Sequence, residues 1–178
     1  MTRSLVRSVS GSLGFVLFGG PTIVAGLVPW LLTRWHADHQ PLVLRLLGGV
    51  VLAIGGLLVI ETTARFALQG RGTPAPWAAP ERFVARGSYR FTRNPMYVGV
   101  LALIVGQAFL LGRGILFAWA AVAWLIFHLF VVLHEEPGLR RQFGAEYEGY
   151  LRRVPRWLPT TTRGPFRRRP DPQARRSQ

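Results

Sequence analysis

The chain has 178 residues, 49% of them apolar, and a formal net charge of +14 whose basic side chains are all arginine. That length suits one domain, and a mean hydropathy of +0.24 is high for a soluble protein of this size. The absence of cysteine excludes disulfides, thiolate metal sites, iron–sulfur clusters and a cysteine nucleophile; the charge lacks the aromatic-interleaved surface or reader motif of nucleic-acid binding, which is not expected.

Four apolar runs approach the ~20 residues that cross a bilayer. Residues 12–35 are almost free of charge, 46–60 and 96–111 have none, and 115–133 are interrupted only by His128. They predict an all-α integral membrane protein with about four transmembrane helices. With four spans, Arg34, Arg45 and Arg113 fall on one side and every other arginine on the opposite side. The positive-inside rule then predicts that both termini and the central loop are cytoplasmic, in what is expected to be a bacterial cytoplasmic membrane.

Span one is expected from about Leu13 to Trp35, kinked at Pro21 and Pro29, with neighbouring helices or water satisfying the freed carbonyls. It is too long for a signal-peptide core and is read as retained. His36 and His39 lie three apart with Asp38 between them, but no third ligand of matching spacing follows, so residues 34–41 are expected to form a polar turn. Span two, from about Leu42 to Leu68, carries Gly48, Gly49, Gly55 and Gly56 on a face suited to close helix packing. Near its end Glu61 and Arg65, four apart, can pair.

The central loop from Gln69 to Asn94 is interrupted by Gly70, Gly72, Pro74, Pro76 and Pro80. A connection of about 25 residues is long, and long ordered loops are often functional. Asn94 then suits a helix N-cap and Pro95 the first helical position. The helix start at Pro95 points its free N–H groups back toward Arg90 and Arg93, an arrangement that attracts carboxylate or phosphate.

Span three is expected to end near Gly112, where Arg113-Gly114 leaves room only for a tight turn. Spans three and four therefore form an antiparallel hairpin, and Glu135 and Glu136 return to the level of Arg93, Asn94 and Tyr97. His128 precedes Glu135 by seven residues, about two turns and ~10 Å, which predicts that they share a helix face. An intramembrane histidine needs a partner or a wet cavity. After Pro137-Gly138, the spacing of Leu139, Phe143, Tyr147, Tyr150 and Leu151 among arginines predicts an interfacial amphipathic helix. Val154-Pro155-Arg156-Trp157-Leu158-Pro159 ends it, and residues 160–178 read as a disordered basic tail attracted to anionic lipid. Residues 1–159 thus form one domain, with 70–159 as its cofactor-binding part.

No GxGxxG turn, P-loop, HExxH or GxSxG is present. Taken together, Gly72-Thr73-Pro74-Ala75-Pro76, Gly87-Ser88-Tyr89, Arg93-Asn94-Pro95-Met96-Tyr97-Val98-Gly99, Glu135-Glu136, Phe143-Gly144-Ala145-Glu146-Tyr147 and Val154-Pro155-Arg156 resemble the isoprenylcysteine carboxyl methyltransferase and phospholipid methyltransferase superfamily. The resemblance implies an S-adenosylmethionine-dependent membrane enzyme that methylates a lipid-like or small hydrophobic acceptor at the cytoplasmic face. Carried over by position, it implies that Val84, Tyr89, Arg93, Asn94, Pro95, Met96 and Tyr97 line the cofactor, with Glu135 on its ammonium or ribose. Gly99 would allow close approach, and Arg156 would close the pocket from below.

Two departures stand out. The family often has histidine where this chain has Asn94, and prenylcysteine methyltransferases have a substrate-binding arginine where this chain has Val131. The second departure argues against a prenylcysteine carboxylate as acceptor. An amine acceptor must lose a proton, for which Glu136, Glu61 and His128 are the candidate bases. Two other functions are compatible with the sequence: an NADPH-dependent membrane reductase related to sterol reductases, and a non-enzymatic membrane scaffold.

Overall fold

The computed structural model describes residues 19–65 and 87–158. The start of span one, the Gly72–Pro76 motif, Val84 and the 160–178 tail lie outside the described residues. All regular structure among the described residues is helical. Two helices, Leu42–Arg65 and the continuous Ile115–Leu151, are long and apolar enough to cross a membrane, while Gly20–Thr33 and Pro95–Leu111 are shorter apolar helices. Leu46, Val50, Leu57 and Ile60 on one long helix, and Leu125, Ile126, Leu129 and Leu133 on the other, are exposed. Contiguous exposed aliphatic faces of this kind suit lipid rather than water.

The first helix, α1 (Gly20–Thr33), has Pro21 in its opening turn and relaxes into a π-helical turn at Ile23–Leu27 before Pro29. Pro21 therefore starts the helix rather than kinking it. Pro29 has no N–H for the carbonyl four residues back, that of Ala25. Gln107 Nε2 donates to that carbonyl at 2.7 Å, and Trp119 Nε1 donates to the neighbouring Val24 carbonyl at 2.9 Å. The expected satisfaction of freed carbonyls by neighbouring helices is thus made by two named side chains.

Helix α2 (Leu42–Arg65) packs antiparallel on α3 (Pro95–Leu111), with Gly48 facing Gly106 and Gly55 facing Gly99. A Cβ on Gly55 would lie 2.8 Å from the Gly99 carbonyl, and one on Gly106 would lie 2.7 Å from the Leu52 amide. Gly49 and Gly56 face open space, so only the first glycine of each pair serves the contact. Gly106→Val is accordingly expected to destabilise the protein by about 3 kcal/mol through backbone overlap, whereas Gly56→Ala preserves or slightly raises stability. Thermal unfolding in detergent distinguishes the two.

Gly112, at φ 68, ends α3, and a short turn leads into α4 (Ile115–Phe130). Asp38 anchors the preceding polar loop to this turn: its N–H donates to the Leu111 carbonyl at 2.8 Å and its carboxylate accepts from Arg113 Nη1 at 3.0 and 3.1 Å. Val59, Val100, Ile104, Ala108, Leu116, Ala120 and Ala123, together with Ala25 of α1, form the core between the helices.

Helix α4 does not break at Pro137-Gly138, as expected from sequence. It passes through a π-helical turn at Val131–Glu135 directly into α5 (Glu136–Leu151), so Pro137 lies inside a continuous helix, two residues beyond the wider turn. The actual irregularity is Gly144, whose φ of 48° and ψ of −124° bend α5. Beyond the bend Tyr147, Tyr150 and Val154 form a second buried cluster, covered by Leu139, Phe143 and Leu151.

Candidate functional site

The site grows from the junction between the 3₁₀ turn Gly87–Arg90 and the start of α3. Pro95 occupies the first turn, but the Asn94 side chain does not cap the helix. Instead Asn94 Nδ2 donates to the Arg156 carbonyl at 3.1 Å, and Thr92 Oγ1 donates to the same oxygen at 3.0 Å. The Arg93 N–H donates to the Pro155 carbonyl at 2.9 Å. Asn94 is therefore a strap between the helix start and the segment after α5. The first-turn amides of α3 are left without a side-chain acceptor from their own cap residue, and a helix start in that condition favours an anionic partner.

The hairpin brings the two adjacent glutamates to this junction, where they take different environments. Glu135 Oε2 accepts a hydrogen bond from the Tyr97 hydroxyl at 3.3 Å, and among the described residues Tyr97 is its one hydrogen-bond partner. Tyr97 is itself held by stacking on Phe127, with ring centroids 4.7 Å apart. Glu136, only 5% exposed, accepts from Arg93 Nη1 at 2.8 Å and from both Arg156 Nε and Nη2, at 2.8 and 3.0 Å. Hydrogen bonding to Glu136 raises the Arg156 guanidinium above its ordinary pKa. The Glu136 carboxylate is thus a tie joining α3, α5 and the Arg156 segment.

The π-helical turn explains which side chains meet. A ring closed by i→i+5 bonds accommodates an extra residue and shifts the helix register. Residues eight apart across it then behave as residues seven apart do in an α-helix. Phe127 and Glu135 both meet Tyr97, whereas His128 and Glu136 both meet the Arg156–Trp157 segment. The expected pairing of His128 with Glu135 on one face is therefore displaced by one residue.

His128 Nδ1 accepts from Trp157 Nε1 at 3.2 Å, and its ring stacks on Trp124 and Trp157. An indole N–H only donates, so that bond assigns the neutral His128 proton to Nε2.

Tyr89 stands in the 3₁₀ turn. Its carbonyl accepts from the Tyr150 hydroxyl at 2.7 Å, while burial, and next the negative charge of Glu135, hold its own hydroxyl well above the ordinary tyrosine pKa. Tyr89 is thus a neutral hydrogen-bonding group at neutral pH. Met96 and Gly99 are buried on α3, Gly99 against α2. The structure therefore gathers Tyr89, Arg93, Asn94, Pro95, Tyr97, Glu135, Glu136 and Arg156 around one junction, assigns Gly99 to the α2–α3 contact and sets His128 beside Trp157. Thr92, Ser88, Tyr150 and Trp157 are site-building residues that the sequence reading missed. Their signals were slight: a serine and a threonine flanking the Tyr89 turn, and aromatic residues that spacing alone assigns to an amphipathic face.

The donor set fits a ligand carrying both a carboxylate and cationic centres. Glu135 retains acceptor capacity for a cation, and the α3 amides and Arg93 offer donors to an anion; Arg93 Nε is buried without a hydrogen-bond partner among the described residues.

The family model for phospholipid methyltransferases matches residues 43–146. The chain is also 30% identical, over 134 residues, to proteins named probable protein-S-isoprenylcysteine O-methyltransferase from Oryza sativa subsp. indica and Oryza sativa subsp. japonica. Those matches cover 75% of this chain and 66% of each relative, so the chain spans just under two thirds of the relatives' length. No solved structure matches the chain.

Proposed function

The chain belongs to the phospholipid methyltransferase family, and from that premise we propose that it is an S-adenosylmethionine-dependent methyltransferase of a membrane, acting on a lipid-like or small hydrophobic acceptor. The observation that carries the proposal is the meeting of Tyr97, at the start of α3, with Glu135, at the end of the adjoining antiparallel helix. Four spans, a cytoplasmic site and an α5 lying in the interface complete the topology proposed from the arginine distribution.

When bound, the cofactor supplies a methyl group on an already activated sulfonium. The protein's task is then chiefly to hold the donor and acceptor in line and keep water out, which can supply several kcal/mol of the barrier. Glu135 opposes positive charge on the cofactor, and Tyr97 fixes the direction of its carboxylate. Tyr89 and the open first turn of α3 contribute hydrogen-bond donors, with Arg93 beside them. Glu136 and Arg156 tie the floor of this arrangement together. His128 orients Trp157 in the same segment.

The acceptor is not read as a prenylcysteine carboxylate. Val131 stands where a substrate-binding arginine would be expected and is 1% exposed, packed into the core. Incubation of the purified protein with methyl-labelled S-adenosylmethionine and bacterial membrane lipid is expected to transfer label into the organic extract. Label confined to the aqueous phase for every lipid fraction would contradict the proposed acceptor class.

A further inference from the structure

The turn that carries Tyr89 is held from α2, whose Glu61 was expected from sequence to pair with Arg65 and was one of the candidate bases. Glu61 Oε1 accepts from Arg65 Nε one turn further along α2, and that contact turns the other carboxylate oxygen outward. Glu61 Oε2 accepts from Ser88 Oγ at 2.7 Å. Gly87, at φ 60, sits directly on this pair: a Cβ there would overlap both Arg65 Nε and Glu61 Oε1. The positive φ favours glycine at this position, and a side chain there would have to displace the Glu61–Arg65 pair.

Ser88 then passes the constraint on. Its carbonyl accepts from the N–H groups of Phe91 and Thr92, at 3.1 and 3.2 Å, closing the turn around Tyr89. The Tyr89 carbonyl is bonded to Tyr150 from the opposite side, and Thr92 continues to the Arg156 carbonyl. The turn is therefore gripped between α2 and α5. An i,i+4 helix pair such as the half-buried Glu61–Arg65 contributes only about 0.3–0.5 kcal/mol by itself. The bond across 27 residues to Ser88 has a different consequence, because it fixes an irregular segment to a regular helix through a charged acceptor, a stronger kind of hydrogen bond.

We propose that Glu61 is a positioning residue, which through Ser88 holds the Gly87–Arg90 turn in the conformation that presents Tyr89 to the cofactor. The inference rests on the methyltransferase reading. It gives Glu61 a task in holding the turn that is distinct from the proton transfer considered for it from sequence.

The test is calorimetric titration of the full chain in detergent with S-adenosylhomocysteine, alongside kinetics with the methyl acceptor at saturating cofactor. Ser88→Ala and Glu61→Met are each expected to weaken S-adenosylhomocysteine binding about tenfold. The double variant should be no weaker than either single one, because both remove the same bond. Ser88→Thr, which keeps the hydroxyl, should retain wild-type affinity, and the acceptor KM should not move in any of them. A merely stabilising role would lower the melting temperature while the folded fraction bound with wild-type affinity, and that result would overturn the proposal. So would additive losses in the double variant. Wild-type protein that binds no S-adenosylhomocysteine would sink the cofactor reading, and this proposal with it; wild-type binding matched by Ser88→Ala would overturn this proposal alone.

Discussion

Glu135→Ala is expected to weaken S-adenosylhomocysteine binding by about a hundredfold or more, while leaving the melting temperature within a few degrees of wild type. Loss of one partner from a desolvated, hydrogen-bonded charge pair typically costs 2–5 kcal/mol of binding, and ~2.7 kcal/mol corresponds to a hundredfold. The small effect on stability follows from the local geometry. Within the described protein Glu135 makes one hydrogen bond, at 3.3 Å to Tyr97, so its removal strands no buried cation. Tyr97→Phe should produce a smaller loss than Glu135→Ala, because the ring still stacks on Phe127 while the hydroxyl that directs the carboxylate is gone. If Glu135→Ala bound like wild type, the carboxylate would not face the cofactor.

Glu136→Ala is expected to behave in the opposite way, destabilising the protein by about 3 kcal/mol. Breaking a buried ion pair by removing one member leaves its partners charged and without compensation, and here two guanidiniums lose the same carboxylate. The expectation stands at the lower end of the usual range because the Arg156 side chain remains 29% exposed and can recover some hydration. The loss should spread to the junction as a whole, since Arg156 supplies the carbonyl that holds Thr92 and Asn94. Chemical denaturation in a fixed detergent, compared with Glu135→Ala, measures the contrast. Equal stability of the two variants would show that Glu136 is not the structural tie.

The two glutamates are neighbours in sequence, and nothing in their composition or order separates their roles. Adjacent helical side chains already point about 100° apart, and the π-helical turn at Val131–Glu135 sets the register in which one carboxylate meets Tyr97 and the other meets Arg93 and Arg156. Val-Val-Leu-His-Glu carries no glycine or proline to announce the extra residue, so a regular helix was the natural expectation and His128 was paired with the wrong glutamate. The hairpin itself was legible, because Gly112-Arg113-Gly114 between two apolar runs leaves room for only a short turn. The helix start at Pro95 was legible for the same kind of local reason.

Asn94 shows where local rules stop. Its residue type suits a cap, but the carbonyl of Arg156, 62 residues later, lies at 3.1 Å and takes its side-chain N–H. Helix-end preferences describe a side chain with only its own helix to bond, and a tertiary partner overrides them. The Glu61–Ser88 contact was invisible for a related reason: the spacing of Glu61 and Arg65 already gave the carboxylate a sufficient partner, and one carboxylate can accept several hydrogen bonds.

The junction of Tyr89, Asn94, Tyr97 and Glu135 is the proposed binding site for S-adenosylmethionine. Isothermal titration of the purified wild-type protein with S-adenosylhomocysteine, with NADPH titrated in parallel, tests it most directly. Saturable binding of S-adenosylhomocysteine, lost in Glu135→Ala and absent for NADPH, is the predicted result. Saturable NADPH binding without S-adenosylhomocysteine binding, or binding of neither by folded wild-type protein, would contradict it.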